Sequence, residues 1–425
     1  MKKAVLLFWF FLLAGLTLGA QQFDVLDQLG RDPRKVFGEE GPHRFDTLTP
    51  LTKAPRGYKA FYMSHYGRHG SRYAWRSQTY VTIHNVLEQA AQAGALTPYG
   101  EEFRRKYEFF YQLPLINAGD LTPMGEEQLR RIGAFHAKAF PEIFSRGRCV
   151  QALSSISRRC ILSMGAYSVG LLSDGKARVN LSLSSTHEGM CIIAPPEAPK
   201  SMARHFEGEK AEVALESAYD YMQRLNPYQG VVSRLFTDPS CLGRKKDPFL
   251  SELWQLYCGY HNYEPRPLFD DLYTPQELLL AWEADNYYTG RGHITGRYAV
   301  IPLLEDILSK ADTALQDPSV AAHLRFGHDY ILESLLCLLN VNGMGTVPTK
   351  AEDTKYWFQS YEVPMAANLA LVMYRNKAGD ILFKVLLNEQ EAVLPQLTPV
   401  TGPYYRWQDF ENWARELLAA HPEIH

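Results

Sequence analysis

Apolar positions along the chain alternate between two patterns and predict strands followed by helices. Short, mostly apolar runs, typical of buried strands, lie at about 59–65, 149–153, 324–326, 369–374 and 381–387. Apolar residues at helical spacing lie at about 78–93, after Pro123, and at 157–171, 329–339 and 407–419. This alternation predicts an α/β fold in which helices flank a central, mostly parallel sheet.

The stretch from about 196 to 300 departs from this alternation, because it is rich in Tyr, Trp, Pro and charged residues. We predict that 81–117 and 196–299 form inserted, mainly helical cap regions. A chain of 425 residues is long enough for one large core with such an insertion. The predicted α/β core comprises 21–80, 118–195 and 300–425.

The first twenty residues have the pattern of a secretory signal peptide. Lys2 and Lys3 precede an apolar run, and the small residues Gly19 and Ala20 follow it. The run is shorter than the roughly 20 residues that a membrane-spanning helix needs. We therefore predict cleavage of 1–20, export to the periplasm or the medium, and no membrane span after cleavage.

Export brings cysteines into an oxidising compartment, where they can form disulfides. The chain has six cysteines, and the sequence does not choose among the possible pairings. Cys241 and Cys258 are the favoured pair, because they lie close together in the chain. No Cys-x-x-Cys motif occurs, so neither a zinc ribbon nor a thioredoxin-like site is predicted.

Composition and charge limit the classes of partner. Apolar residues make up 46% and charged residues 21%, as in ordinary globular domains. With 44 basic and 47 acidic residues, the formal net charge is −3. This balance provides no electrostatic footprint for nucleic acid, so a nucleic-acid partner is not predicted. An anionic ligand must instead be bound by a local cluster of cations.

Such a cluster is predicted where three strands end and a loop or helix begins. Because ligands of α/β sheets bind at the carboxyl ends of the strands, and helix N-termini there attract anions, we expect the three places to form one site. The first place carries Arg68, His69 and Arg72, the second carries Ser155 and Arg159, and the third carries His328 and Asp329.

This combination of side chains fits the hydrolysis of a phosphate ester. Arginine forks match phosphate oxygens, and their charge would keep the imidazole of His69 neutral and nucleophilic. Asp329 can protonate the departing oxygen, so the chemistry needs no metal or organic cofactor. His65 lies four residues before His69, the spacing of a zinc pair on a helix. Glycines at 67 and 70 argue against a helix there.

The three places also carry motifs of a known family. The sequence Tyr-Gly-Arg-His-Gly-Ser-Arg-Tyr at 66–73 resembles the signature of the histidine acid phosphatases, the second branch of the histidine phosphatase superfamily. Ser155-x-x-x-Arg159-Cys160-x-x-Ser163 resembles the middle arginine motif of that family. The resemblance covers about 45–415 and is closest to the multiple inositol polyphosphate phosphatase and phytase group. Further segments similar to family landmarks lie at 121–125, 363–368 and 387–389.

The resemblance implies an α/β core with a helical cap beside the site. It implies a phosphohistidine intermediate on His69 and a proton donor at Asp329. It implies phosphate binding by Arg68, Arg72, Arg159 and His328.

The sequence at the third place, 328–330, differs between two groups of the family. Inositol polyphosphate phosphatases typically carry His-Ala-Glu there, whereas this chain has His328-Asp329-Tyr330, as in acid phosphatases and many phytases. We therefore predict an exported phosphomonoesterase of the acid phosphatase type that acts on a small-molecule phosphate monoester. A phytase or inositol polyphosphate phosphatase is the alternative within the family. A binding protein for phosphorylated ligands, without turnover, is the alternative from another class.

Other basic segments are weaker candidates for the site. Arg158 precedes Arg159, and only one of the two can point into the site, so we expect Arg158 at the surface. Arg76 and the basic run 244–246 are also expected to face solvent. Segment 290–297 has two arginines and a histidine among glycines. We predict a glycine-rich connector there, with contacts to the substrate as the alternative.

Overall fold

The computed structural model describes residue 25 and residues 28–145, 147–195 and 215–421. The predicted signal peptide at 1–20 and the start of the second cap region at 196–214 lie outside the described residues. Within the described ranges, no helix is both long enough and apolar enough to cross a membrane.

One sheet of eight strands forms the centre of the molecule. The strands are β1 (Lys59–Arg68), β2 (Cys149–Ser154), β3 (Asn180–Ser184), β4 (Val320–Gly327), β5 (Asn368–Arg375), β6 (Ile381–Leu387), β7 (Gln390–Ala392) and β8 (Tyr405–Arg406). They lie in the order β3-β2-β4-β1-β5-β6-β7, with β8 paired to β6. The first four strands run parallel, whereas β5 to β8 form antiparallel pairs. The predicted fold class is confirmed, and the sheet is mixed with a parallel core.

Helices surround the sheet and continue beyond it. They are α1 (Ser77–Gln92), α2 (Pro98–Ile116), α3 (Pro123–Ala139), α4 (Arg158–Leu172), α5 (Met190–Ile193), α6 (Ala218–Leu225), α7 (Gln229–Leu235), α8 (Lys246–Gly259), α9 (Pro275–Gly296), α10 (Ile301–Gln316), α11 (Asp329–Leu338), α12 (Thr354–Trp357) and α13 (Trp407–Ala419). A 3₁₀ helix, Pro33–Glu40, lies in the segment before β1, which we call the N-terminal arm (28–57). The predicted bounds of α1, α4, α11 and α13 agree with the structure to within a residue or so.

Threonine caps explain where three of these helices begin. The side chains of Thr97, Thr122 and Thr274 each accept a hydrogen bond from the backbone N–H three residues later. Each threonine is followed by a proline, which suits the first helical position because its missing N–H would have no partner there. The predicted start of α3 at Thr122 and Pro123 is confirmed.

Most buried apolar residues of the described ranges form two layers on the sheet and an aromatic cluster beside it, and Tyr221, Tyr287 and Ala351 form a small fourth cluster. Helices α10, α11 and α13 cover one face of the sheet, and α3 and α4 cover the other. An aromatic cluster joins α1, α2, α7 and α8 to the first half of α9. Helix α9 connects the two regions, because Trp282 belongs to the aromatic cluster and Ile294 to the core of the sheet. The division into core and cap remains a prediction.

Segment 290–297 corrects one expectation, since it is not a connector. Its residues up to Gly296 continue α9, and Arg291 and His293 are buried. A Cβ on Gly290 would lie 2.8 Å from the Phe358 ring, so the glycine allows close packing and does not provide flexibility.

The cysteines give a second correction. All six are free thiols, including Cys241 and Cys258, so the favoured disulfide is not formed. Cys258 lies buried on α8 within the aromatic cluster, whereas Cys241 lies in the 3₁₀ helix before α8. Closeness in sequence therefore did not bring the two sulfur atoms into bonding geometry.

Candidate active site

The three places predicted to carry chemistry lie next to one another at the carboxyl edge of the sheet. Strand β4 lies between β1 and β2, and the ends of all three strands are in register: Arg68 pairs with Gly327, and Ser154 with Phe326. Helices α4 and α11 begin soon after β2 and β4. The fold therefore brings together the six residues that we call the phosphate cluster. These are Arg68, His69, Arg72, Arg159, His328 and Asp329.

Arg68 is fully buried, and its guanidinium group is fixed by three acceptors. One terminal nitrogen donates to the backbone carbonyls of Glu39 and Val363. The other donates to Asp329 Oδ2 at 2.5 Å. Val363 belongs to segment 363–368, whose sequence is similar to a family landmark. The backbone of this segment accepts a hydrogen bond from the buried Arg68 side chain, and this contact is a physical reason for the motif.

Close backbone contacts hold the loop after β1. Ala366 donates its N–H to the His69 carbonyl at 2.9 Å, and Gly70 donates its N–H to Ser163 Oγ at 3.1 Å. A Cβ on Gly70 would collide with the backbone of Gly125 at the start of α3. Only glycine therefore fits at 70, and the contact fixes the loop that carries His69.

The imidazole of His69 is held as a neutral base. Its Nδ1 lies 3.0 Å from the Gly70 carbonyl oxygen, which can only accept, so Nδ1 carries the proton and Nε2 the lone pair. Burial lowers the pKa of His69 well below its usual value, and the charges of Arg159, Arg68 and Arg72 lower it further. Neutral imidazole with a free Nε2 is the form that can attack phosphorus.

Two more arginines lie around this imidazole. Arg72 is buried and donates to Glu40 Oε1 at 2.8 Å. Arg159 is partly buried and donates to His328 Nδ1 at 3.3 Å. Together with Arg68 they concentrate positive charge where a dianion can be bound.

His328 is a second neutral imidazole. Because Nδ1 accepts from Arg159, its proton is on Nε2, which donates to Ser155 Oγ at 3.0 Å. Burial, and then the neighbouring arginines, lower its pKa to about 4, although Asp329 acts in the opposite direction. The rings of His69 and His328 lie edge to face, with centroids 5.8 Å apart.

Asp329 begins α11, and its side chain remains 22% exposed. Burial would raise its pKa, but the charges of Arg68 and then Arg72 outweigh that effect and hold the pKa well below its usual value. Without a bound anion, Asp329 is therefore a carboxylate paired with Arg68.

The weaker basic candidates lie outside the phosphate cluster. The Arg158 side chain is 79% exposed and pairs with Asp120 at 2.7 Å. Arg76 pairs with Glu252 at 2.5 Å, and the run 244–246 is exposed. His65 lies within β1, so the helical zinc pair with His69 does not form.

One group among the described residues has the spacing of a metal site. It consists of His84, Glu88 and Glu108 on helices α1 and α2. Glu88 pairs with Arg104 at 2.7 Å, and Glu108 with His84 at 3.2 Å. This group lies on α1 and α2 and not at the ends of the three strands, so it supplies no ligand to the phosphate cluster.

Sequence reasoning missed the acidic residues that contact the cluster. Glu39 and Glu40 of the N-terminal arm hold Arg68 and Arg72, across a separation of about thirty residues. Glu333 is buried on α11, one turn after Asp329. A signal for Glu333 was present, because it is a lone charge among the apolar residues 331–338 of a predicted helix. No sequence signal pointed to the two arm residues.

A neutral imidazole among three guanidinium groups, beside a carboxyl group and at the carboxyl edge of an α/β sheet, defines a phosphatase. The chain belongs to the histidine phosphatase superfamily (branch 2), whose family model matches residues 67–388. This match spans most of the chain and contains all six members of the phosphate cluster. The predicted family and enzyme class are confirmed.

Solved structures of similar fold support the architecture. A Bifidobacterium longum multiple inositol polyphosphate phosphatase in complex with inositol hexasulfate superposes with a TM-score of 0.73 at 17% identity, covering 89% of this chain and 97% of that one. The phytase from D. castellii gives a TM-score of 0.68 at 14% identity, covering 91% and 85%. The apo phytase of Hafnia alvei gives 0.53 at 15% identity, covering 86% and 98%. No curated protein matches the sequence at a significant level.

Proposed function

We propose that this chain is an exported phosphomonoesterase that hydrolyses small phosphate monoesters through a phosphohistidine on His69. The orientation of His69 carries the proposal, because its Nε2 lone pair is free while Nδ1 is bound to the Gly70 carbonyl. Export is supported by the signal pattern at 1–20.

Binding of the substrate uses the positive side of the phosphate cluster. Arg68, Arg72 and Arg159 bind the phosphoryl oxygens, and His328 adds a neutral imidazole. Arg68 is paired with Asp329 before binding. A bound dianion competes for this guanidinium and leaves the carboxylate less stabilised. The pKa of Asp329 therefore rises when the substrate binds, so Asp329 can accept a proton.

The reaction then proceeds in two steps. In the first, His69 Nε2 attacks phosphorus, the bond from phosphorus to the ester oxygen breaks, and Asp329 gives its proton to the departing oxygen. In the second, water attacks the phosphohistidine, Asp329 takes the proton of that water, and the bond between nitrogen and phosphorus breaks. The arginines stabilise the charge on the phosphoryl oxygens in both steps.

Replacement of the nucleophile tests this function. We expect His69→Ala to reduce the hydrolysis of p-nitrophenyl phosphate to background, while His84→Ala on helix α1 retains normal rates. A purified wild-type protein that binds inorganic phosphate but shows no turnover would contradict the proposal and favour the phospho-ligand binding protein. Near-normal activity of His69→Ala would remove His69 from its role.

A phytase or inositol polyphosphate phosphatase is the second candidate. It is favoured by the similarity of the fold to an inositol polyphosphate phosphatase and to phytases. The His-Asp sequence at 328–329 is compatible with phytases and with broader acid phosphatases. Phosphate release from phytate, sugar phosphates, nucleotides and aryl phosphates distinguishes them, because a phytase should have its highest kcat/KM on phytate.

A further inference from the structure

A buried acidic group lies directly behind the ion pair of Arg68 and Asp329. Glu333 follows Asp329 by four residues on α11, so the two side chains lie on the same side of the helix. Glu333 is only 1% exposed. The Glu39 carboxyl of the N-terminal arm approaches it from the other side, and the Glu39 carbonyl accepts from Arg68. Three carboxyl groups are therefore collected around one guanidinium.

Hydrogen bonds hold Glu333 in place without neutralising its charge. Its Oε2 lies 2.9 Å from His293 Nε2, and His293 Nδ1 lies 2.9 Å from Ser334 Oγ. Burial lowers the pKa of His293 to about 4, so this imidazole is neutral and provides no positive charge. Glu333 Oε1 is buried and accepts from no nitrogen or hydroxyl donor, and the Glu39 carboxyl lies within hydrogen-bonding distance of Glu333.

Arg68, the cation near Glu333, already donates its hydrogen bonds to other groups. Arg68 directs its terminal nitrogens to Asp329 and to two backbone carbonyls. One guanidinium cannot neutralise three carboxylates, so the group retains protons at neutral pH. Burial, and then the charge of Asp329, raise the pKa of Glu333 to about 8, and the pKa of Glu39 is also raised, first by burial.

Burial and the charges of Asp329 and Asp285 raise the pKa of Glu333, whereas Arg68 and a side-chain hydrogen bond with Glu39 lower it. Helix α9 contributes His293 and Asp285, and burial raises the pKa of Asp285 to about 6. The arm contributes Glu39, and α11 itself contributes Asp329 and the buried thiol of Cys337. Among these neighbours, Arg68 is the charge that favours the ionised form of Glu333, and Asp329 and Asp285 oppose it.

We propose that Glu333 is a positioning residue for the general acid: together with Glu39 it keeps a proton beside Asp329, so that Asp329 is protonated in the substrate complex. This proposal rests on the proposed function. When phosphate binds Arg68, Asp329 loses its cation and takes the proton of the group. The proton passes to the leaving oxygen, is replaced from the attacking water, and returns to Glu333 when phosphate leaves.

The substitution Glu333→Gln tests this role, because it keeps the shape of the side chain and removes its titration. In the wild type, loss of the shared proton leaves neighbouring carboxylates that repel one another, and this repulsion raises the pKa at which the proton is lost. In Glu333→Gln one of these carboxylates is absent, so the pKa is lower. We expect the alkaline limb of kcat on glycerol phosphate to move down by about one pH unit. The limb on p-nitrophenyl phosphate should stay in place, because its leaving group needs little protonation.

Two further variants separate this role from a structural one. Glu39→Gln removes the facing carboxyl on another element and should move the same limb in the same direction, which keeps the test valid if Glu333→Gln fails to fold. Glu362→Gln is the matched control, because Glu362 is a carboxyl whose pKa is raised by burial but whose charged neighbour is Lys35. Its profile should match the wild type. Unchanged limbs in both site variants would overturn the proposal.

Proton uptake gives a readout that does not depend on turnover. Calorimetric titration with inorganic phosphate, in two buffers of different ionisation enthalpy, counts the protons taken up on binding. Because the wild type passes to Asp329 a proton that it already holds, we expect little net uptake at pH 7, whereas Glu333→Gln must take this proton from solvent and should show greater uptake. Equal uptake by the two proteins would contradict the role of Glu333. A wild type that binds phosphate with less proton uptake than Glu333→Gln but hydrolyses no ester would contradict only the proposed function.

Discussion

At the scale of single residues, the adjacent arginines Arg158 and Arg159 have different surroundings: the first side chain faces solvent and the second lies in the site. Both begin helix α4, yet Arg158 points away toward Asp120 while Arg159 reaches His328. Their opposite directions follow from the helical turn of about 100° between neighbouring residues. The spacing of the arginine motif was sufficient to choose Arg159 from the sequence.

This pair provides a matched test of phosphate binding. We expect Arg159→Ala to lower kcat/KM for p-nitrophenyl phosphate by about a hundredfold or more, since it removes one of three cations facing the phosphoryl group. Arg158→Ala should stay within about threefold, because an exposed ion pair contributes little. Steady-state kinetics of the two variants check this, and equal losses would place Arg159 outside the binding set.

The sequence did not indicate which acceptors from other segments bind Arg68 and Arg72. Arg68 and Arg72 were identified from one short motif, because motif residues are neighbours in the chain. Their acceptors on Glu39 and Glu40 come from a different segment, and pairing across such a distance depends on the tertiary fold. Glu333 was accessible in principle, because a lone charge on an apolar helix needs a partner when it is buried.

At the scale of elements, helices α3 and α4 pack through glycines. A Cβ on Gly133 of α3 would meet the Tyr167 backbone, and a Cβ on Gly170 of α4 would meet the Arg130 backbone. The two helices therefore approach closely at these points, and both helix termini remain directed at the site. Gly165, on the same helix α4, has no atom within 4 Å of its Cβ position.

These glycines predict opposite effects of one substitution. Gly170→Ala should destabilise the protein by roughly 1–3 kcal/mol, because a backbone contact cannot move away as a side chain can. Gly165→Ala should be neutral or stabilise by up to about 1 kcal/mol, since alanine favours the helix and meets nothing. Denaturant unfolding of both variants measures the difference. A stable Gly170→Ala would show that the helices can separate without cost.

Most elements were predictable because their periodicity is strong. Helices α1, α4, α11 and α13 have clear apolar faces, and β6 is apolar except for Lys384. Helix α10 and strand β3 were not predicted, and α2 was predicted only as part of the mainly helical region 81–117. Strand β3 is exposed along most of its length, so it lacks the apolar signal. Helix α9 was predicted only in part, because its later half is rich in glycine and its burial comes from neighbouring elements.

At the scale of the whole molecule, buried neutral histidines link stability to pH. His136 and His323 have pKa values lowered to about 4, and that of His65 is also lowered, in each case first by burial. The unfolded chain binds these protons near pH 6.5. Stability is therefore fully present above pH 6.5 and is lost as the pH falls toward 4.

The expected result is a falling melting temperature between pH 6.5 and 5. Each such histidine contributes up to about 1.4 kcal/mol per pH unit in this window. Glu333 acts in the opposite direction, because its raised pKa makes its contribution fully present below pH 4.5 and lost as the pH rises through about 8. Calorimetry of the wild type and of His323→Gln checks the sign. The variant should show a shallower decline, and an identical slope would exclude His323.

The N-terminal arm has a consequence for how the catalytic unit is delimited. The family match begins at residue 67, yet the carbonyl and the carboxylate that fix two of the three phosphate-binding arginines belong to residues 39 and 40. A fragment trimmed to begin at β1 would keep every motif and lose one acceptor of Arg68 and the carboxylate partner of Arg72. Proteolytic cleavage just before β1 would therefore inactivate the enzyme, although every residue of the motif at 66–73 would remain.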